Sequence, residues 1–502
     1  MTDMAEALIK LKALEVQLGK RVTDAQRCID YYGGQQNLRF ASDQFRFYFA
    51  KRYVDFSDNW TQVVADSPTE RMEVQGIRLA AGLQDSEKPG EKDGDDDLYR
   101  VWTENGMEAD SGLGFLHAIT TKRSFGLVWG NDDDISTPEM TFEDSRECIV
   151  GYVPGSRRKR AAALKMWSDD HHDFATLYLP DDVWKFQRAS SKRLVSMVAA
   201  TSSVTGGDGG WVPREHTGDD VWPIPNPFGV VPMVELPNRP LLGQEPISDV
   251  MGVIAMQDAV NLLWAQLFTA SDYAALGQRI IIGAEVPKMP ILDSTGEVVG
   301  EKPVDLQVLR EKRLLWVPDK DATVSEWKAA DLKAYTDIIE VAVGHIAAQT
   351  RTPQHYLVGK MANLSADALK AAETGLVKKT QEKQLYFGEA IREMFRLASL
   401  AQGDKGKAKA VASGKVLWKD AEMRSEAQLS DSLVKLSTLG FPFEWIAERY
   451  GLSPTEVERV IAMKKEQQDS ALFGDLMSQP AEPPPVAPAP MPQPPASMRM
   501  GL

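Results

Sequence analysis

The stretch KAADLKAYTDIIEVAVGHIAAQT, residues 328–350, decides the fold. Leu332, Tyr335, Ile338, Ile339, Ala342, Val343 and Ile346 recur at three-and-four spacing, which predicts a helix with one buried stripe. Pro353 ends it, because proline disfavours helix at the residue before it and brings no amide. A loop, TPQHYLVGKMAN at 352–363, follows, and Asn363 or Ser365 then caps a second run with Asp367 in its first turn. That run covers about 37 residues, or about 55 Å at the helical rise, well beyond an ordinary globular helix. We expect a large assembly with a long axis.

Upstream, NPFGVVPMVELPNRPLLGQEPISDV is punctuated by proline and leads into MGVIAMQDAVNLLWAQLFTASDYAALGQR, apolar on most faces, with Asp249, Asp258 and Asp272 as the charges of residues 249–276. Such a helix must be buried by neighbours. Between the two helices, residues 280–327 hold IIIGAEVP, GEVVGEKPVDLQVL and RLLWVPD, a compact set of strands and turns.

At 502 residues the chain is longer than one core usually organises, so several subdomains are expected. Its 43% hydrophobic and 26% charged residues are those of a soluble globular protein, and a net charge of −15 argues against a protein that wraps nucleic acid. Cys28 and Cys148 are too few for a disulfide framework or a cysteine zinc site, which fits a reducing compartment. The N-terminus reads as a charged amphipathic helix rather than a signal peptide, and Ala259–Ser271 is too short to span a bilayer.

Residues 3–30 show helical spacing and end at Tyr31-Tyr32-Gly33-Gly34, where glycine takes the left-handed terminal position. An aromatic-rich helix, a short helix after Asn59-Trp60 and the strand-like ERMEVQGIRL follow. Asp93, Asp95, Asp97 and Glu104 stand at calcium-loop positions 1, 3, 5 and 12, but Leu98 occupies the place that needs glycine, so a solvated loop is preferred. From 124 to 234 the runs FGLVWG, CIVGYV, AALKMW, FATLYL and VWKFQ alternate between turns and read as antiparallel strands. Arg157-Arg158-Lys159-Arg160 reads as a solvated hairpin tip, preferred over a nucleic-acid patch, and His171-His172-Asp173 as a loop rather than a metal site.

The YYGG turn, the asparagine-anchored helix, ERMEVQGIRL, GVVPMVELPNRP before the first apolar helix and IAAQTRTPQHYLVGKMANLSADALK after the second resemble tailed-bacteriophage portal proteins of the siphovirus type, over about residues 20 to 470. The resemblance implies an α+β, predominantly α, portal fold of wing, stem, clip and crown. Its implied boundaries are a wing with an antiparallel β subdomain at 1–248, a first stem helix at 249–276, a clip at 277–327 and a second stem helix at 328–350. A tunnel loop at 351–364, a long kinked wing helix at 365–402, a linker and helical crown at 403–472 and a Pro-rich tail at 473–502 complete the scheme.

The resemblance further implies a twelve-membered ring at one capsid vertex, assembled in the host cytoplasm and carried in the virion. Double-stranded DNA would pass through it without sequence specificity. Large terminase, head–tail adaptor, major capsid and scaffolding proteins would be its partners, with no membrane, cofactor or metal. Arg351, His355, Lys360 and Asn363 are the DNA-facing candidates of the tunnel loop. Asp258, Asp272, Asp331, Asp337 and Glu340 are the candidates for an acidic channel wall, with Asp249 beside them in the two apolar runs against only Lys328 and Lys333. A wall of that sign repels the duplex and lets it slide. Lys288, Lys302, Arg310 and Arg313 are the candidates for partner binding on the clip.

Other classes fit the residues less well. A nucleotide-driven motor lacks the phosphate loop, since Gly403-Asp404-Lys405-Gly406-Lys407 has neither the spacing nor the following Ser or Thr. A metal hydrolase lacks a tight His/Cys/carboxylate motif among the histidines at 117, 171, 172, 216, 345 and 355. A helix-turn-helix DNA reader at EWIAERYGLSPTEVERV would open its recognition helix with Thr455, Glu456 and Glu458, acids facing phosphate. A minor capsid or connector protein is the structural alternative. Residues 403–416, GDKGKAKAVASGKV, read as a flexible basic linker, and nine prolines within 480–495 as an extended tail.

Overall fold

A computed structural model describes residues 2–36, 40–43, 47, 56–79, 95–190, 210–214, 223–275, 279–283, 288–292, 297–303, 314–317, 331–358, 366–422, 426–450, 452 and 454–478. The architecture is α+β and mostly helical. Two compact units divide it, residues 1–429 and 430–502.

The first unit opens with α1 (Met4–Tyr32), whose Ala7, Leu11, Leu14 and Leu18 form one buried stripe. It ends where the sequence places its glycines: Gly34 takes φ +77 while Gly33 and Gly34 amides return to the Ile29 and Tyr31 carbonyls. The stripe of α1 lies on the sheet of β4 (Cys148–Tyr152), β5 (Arg160–Ser168), β6 (His172–Tyr178), β7 (Asp182–Ala189) and β8 (Val212–Pro213), with β9 (Ile224–Pro225) also pairing β7. Ile149, Leu164, Leu177 and Phe186 of that sheet complete the core. Its strands pair antiparallel as short hairpins, each alternating run having one face to bury.

A second, three-stranded antiparallel sheet orders β10 (Met233–Pro237), β2 (Arg123–Trp129) and β3 (Glu139–Glu143). The main core gathers between this sheet and three helices: α3 (Asp96–Glu104), α4 (Met107–Thr121) and the 36-residue α8 (Ala366–Ala401). Phe115 of α4 stacks on Phe387 of α8 at 5.4 Å, and Trp102 of α3 meets Phe395 at 5.3 Å. α3 is capped by Asp95, whose carboxylate accepts from Leu98 N at 2.9 Å and pairs with Lys407 at 2.8 Å. Asp97 likewise serves Arg100 and Lys407, and Glu104 serves Arg100. These acids are spread along a helix, the opposite of a calcium loop wrapped around one point.

The reading of 403–416 as a flexible linker is corrected. Asp404 caps α9 (Lys405–Ala412), accepting from Lys407 N at 2.8 Å, and Ala408, Ala410 and Val411 are buried. Then β15 (Lys415–Trp418) pairs antiparallel with β1 (Val74–Arg78), joining two segments far apart in sequence. Small apolar residues between lysines were enough to pack, because Lys405 and Lys409 lie outward while Lys407 turns to Asp95 and Asp97.

The apolar helices are α5 (Ile254–Ala275), entered through a 3₁₀ turn at Met251–Val253, and α6 (Leu332–Thr350). The strands between them are β11 (Arg279–Ile282), β12 (Lys288–Leu292), β13 (Val298–Pro303) and β14 (Leu314–Val317). β11 pairs parallel with β14, and β12 antiparallel with β13. After α6 comes the short α7 (Gln354–Val358), preceded in the chain by α2 (Trp60–Thr69), on which it packs.

The second unit contains α11 (Phe443–Tyr450) and α12 (Pro454–Ser478), preceded by α10 (Glu426–Thr438), which begins before residue 430. Ala447 and Val457 are buried, as a tight helix–helix turn requires, while Arg459 and Glu456 are exposed.

Candidate functional site

α5 and α6 form an antiparallel pair, since Gln349 at the end of α6 donates to the Gly252 carbonyl at the entry of α5, 3.1 Å away. Val260 and Leu267 of α5 meet Ile339, Ala342, Val343 and Ile346 of α6, with Val64 of α2 and Leu357 of α7 closing the end. The buried stripe of α6 is therefore the one its spacing predicts, apart from Ile338, which is 53% exposed.

α6 carries a second, mostly apolar row. Ala334, Ile338, Val341, His345 and Ala348 are exposed at alternating four-and-three spacing, the repeat of a coiled-coil seam. Val341 is 59% exposed. Asp337 is also exposed, and Asp331 caps the helix by accepting from Lys333 N at 3.0 Å. Asp272 and Glu340 are half-buried.

The foot of α5 is polar where the sequence suggested only apolar burial. Asp258 is fully buried, accepting from the Tyr31 hydroxyl at 2.5 Å, so it is withdrawn from any solvent-lined wall. Burial and the Asp258 carboxylate push the Tyr31 hydroxyl up to about 12, which keeps it a donor. Gln257 accepts from Trp60 N at 2.9 Å, and Asn261 donates to Gln36 at 2.6 Å. Trp264 Nε1 donates to Asp58 at 2.8 Å. Polar side chains inside an apolar run were the signal for this seat; their partners lie on α1 and α2 and at Gln36 and Asp58 between them, remote in sequence.

Asp249 is corrected in the same way. Its Oδ2 lies 2.8 Å from Lys379 Nζ and 3.0 Å from Lys383 Nζ, all three side chains buried. Burial works to raise the Asp249 carboxyl, but the two lysines outweigh it and hold it well below the usual carboxylate range. Burial in turn brings Lys383 down to about 8, and its ammonium donates to Asn238 Oδ1 at 2.5 Å. The cluster ties α8 to the entry of α5.

In the loop after α6, Arg351 adopts φ +56 and its side chain is 58% exposed, 3.8 Å from Glu382. His355 does not face outward: its side chain is 7% exposed, edge-on to Tyr356 with Nε2 3.9 Å from Glu373, so it is corrected from DNA contact to packing. Arg71 locks the same corner, donating to the Tyr356 hydroxyl at 2.6 Å. Lys360 and Asn363 lie outside the described residues, as do Arg310 and Arg313. Lys288 and Lys302 are exposed on the β12–β13 hairpin, Lys288 3.7 Å from Glu301.

One juxtaposition of Ser, His and Asp invites a catalytic reading. Ser145 Oγ and Asp144 Oδ1 both approach the same His117 nitrogen, Nε2, at 3.0 and 3.2 Å, and the Ser145 amide points there too. A relay needs the acid and the nucleophile on opposite ring nitrogens, so this is a turn anchor. Among the described residues no group of His, Cys, Asp and Glu stands close enough to hold a metal ion, and no helix is long and apolar enough to cross a membrane.

The fold is helix-dominated α+β, and α6 presents an exposed, mostly apolar row beside its buried stripe. Residues 16–471 match the model of the family Phage portal protein, SPP1 Gp6-like, and the chain belongs to that family of structural proteins of the phage virion. It is similar to the portal protein of Mycobacterium phage L5, 25% identical over 461 residues that cover 87% of this chain and 85% of that one. It is likewise similar to the portal protein of Mycobacterium phage D29, 25% identical over 435 residues covering 83% and 79%.

Proposed function

We propose that twelve copies close into a ring at one capsid vertex and that double-stranded DNA enters and leaves through it. The observation that carries this reading is the second apolar row of α6. A helix already buried on α5 by one face has no use for Ile338 and Val341 on the other unless a further surface covers them. Copies arranged head to tail supply such a surface repeatedly, and rotation closes the series.

In this reading 1–248 is the wing and the α5–α6 pair, within 249–276 and 328–350, is the stem. The wall acids are then Asp272, Asp331, Asp337 and Glu340, against Lys333 among the described residues. Arg351 is the described basic residue of the loop at 351–364 that faces solvent for weak, salt-sensitive phosphate contact. The strands of 277–327 form the clip, where Lys288 and Lys302 meet the large terminase during packaging and the head–tail adaptor afterwards. The long helix of 365–402 backs the wing, the helices up to 472 form the crown, and 473–502 trail as a tail. Assembly in the host cytoplasm with scaffolding and major capsid proteins completes the scheme.

Negative-stain microscopy with mass photometry tests the ring. Wild-type chain is expected to give annuli of about twelve copies, and Val341→Glu, which places a charge in the seam without touching the α5 face, is expected to remain monomeric while keeping its melting midpoint. Wild type that stays monomeric across protein concentration, salt and added scaffold would overturn the reading.

A further inference from the structure

Two features of the first unit carry opposite charge and match in form. One is the turn between β4 and β5. Gly155 sits at φ +81, Val153 N donates to the Lys159 carbonyl at 2.9 Å, and Ser156 Oγ accepts from the amides of Arg158 and Lys159 at 3.3 and 3.0 Å. The turn is thus internally fixed, and it holds the side chains of Arg157, Arg158 and Lys159 out in solvent. Among the described residues no acid pairs with any of the three, although the net charge is −15.

The other feature is a cleft of about 620 Å³ bounded by the end of α2, the start of β1 and the start of α4. Asp66, Glu70, Glu73 and Glu108 line it, and among the described residues its lining includes no cation. Glu70, Glu73 and Glu108 are exposed; Glu73 reaches Lys419 at 2.7 Å in a pair open to water, and Glu108 touches Tyr99. An acid-rich concave surface, whose Glu73 pairs with Lys419, and a fixed turn of exposed cations coexist on one molecule.

We propose that the β4–β5 tip of one copy seats in the acid-lined cleft of the next, a head-to-tail contact between two copies of this chain. The proposal rests on the ring reading above and names the charged contact that accompanies its apolar seam. A duplex would account for the tip but leave the cleft without an occupant, whereas a second copy accounts for both. Exposed charges of this kind steer encounter and fix register more than they add affinity, so their loss appears in the concentration and salt dependence of assembly.

The test uses two variants of the full chain, Arg157→Glu with Arg158→Glu, and Glu70→Lys with Glu73→Lys. Each alone faces like charge with like charge. Mixed in equal amounts they are complementary at every contact, acidic tip to basic cleft and native tip to native cleft. Mass photometry at low salt is expected to show each variant needing about tenfold more protein than wild type to assemble, with the mixture returning to the wild-type concentration. The milder Arg158→Gln and Glu70→Gln, which leave the fold undisturbed, are expected to shift assembly the same way by a smaller factor.

Rings from either double variant alone at wild-type concentration overturn the contact while leaving the ring standing, and so does a mixture of two folded variants that does not assemble. Normal assembly of the tip variant together with lost binding to duplex DNA overturns it in favour of DNA. Wild type that forms no rings removes both the contact and the reading beneath it.

Discussion

Asp249 sits between two buried lysines, and removing either sign from that cluster has unequal results. Asp249→Asn leaves Lys379 and Lys383 facing each other without a counter-charge, which is expected to destabilise the first unit by about 3–5 kcal/mol in denaturant unfolding. Lys383→Met keeps Asp249 paired with Lys379 and is expected to stay within about 1 kcal/mol of wild type near neutral pH. The pH dependence separates the two further. Because folding lowers Lys383 from 10.5 to about 8, the folded chain binds fewer protons than the unfolded one between those values. Stability contributed at this site therefore rises with pH across that window, and the wild type is expected to gain on Lys383→Met between pH 8 and 10. Spacing told that Asp258 sits on the apolar helix and Asp249 just before it, but not what sits opposite. Both had been counted with the charges of the apolar runs, and both find their partners far away in sequence, on α8 and α1.

At the scale of elements the alternating runs gave strands and the three-and-four runs gave helices, since each has one face to bury and its period is local information. What the local pattern hid was the segment after α8. Its short helix buries only Ala408, Ala410 and Val411, and its strand is paired by β1, which no window around residue 416 contains. Gly414 makes that pairing possible: a Cβ there would stand 2.5 Å from the Arg78 carbonyl oxygen and 3.1 Å from that of Val411. Backbone cannot swing aside as a side chain does. Gly414→Ala is therefore expected to cost about 1–3 kcal/mol and to lower the thermal midpoint of the first unit, with the loss reported by faster amide exchange in 74–78 and 415–418.

The whole molecule divides into two units, and the division predicts independence. A chain ending at residue 429 is expected to show the melting midpoint of the full chain in its main transition; a drop of several degrees would mean that the second unit supports the first. Nearly the full length of the family match, 16–471, had been visible as a resemblance spanning about 20 to 470, because the order of helix, strand-rich insert, helix, loop and long helix survives where individual residues do not. The site was less legible. Arg351 faces solvent while His355 packs against Tyr356, and no spacing rule distinguishes the two when the loop between them turns at Pro353.

The β12–β13 hairpin has one further consequence, for the life of the chain before it meets any partner. Met289, Ile291, Val298 and Val299 are 49–68% exposed, and among the described residues neither strand has a second neighbour. A ribbon of that kind is a template for other ribbons. Lys288 and Lys302 sit on its two strands as the charged residues that discourage such growth, as gatekeepers flank sticky segments elsewhere. Exchanging both lysines for neutral side chains is therefore expected to lower the solubility of newly made copies, read as the protein left in the supernatant after ultracentrifugation.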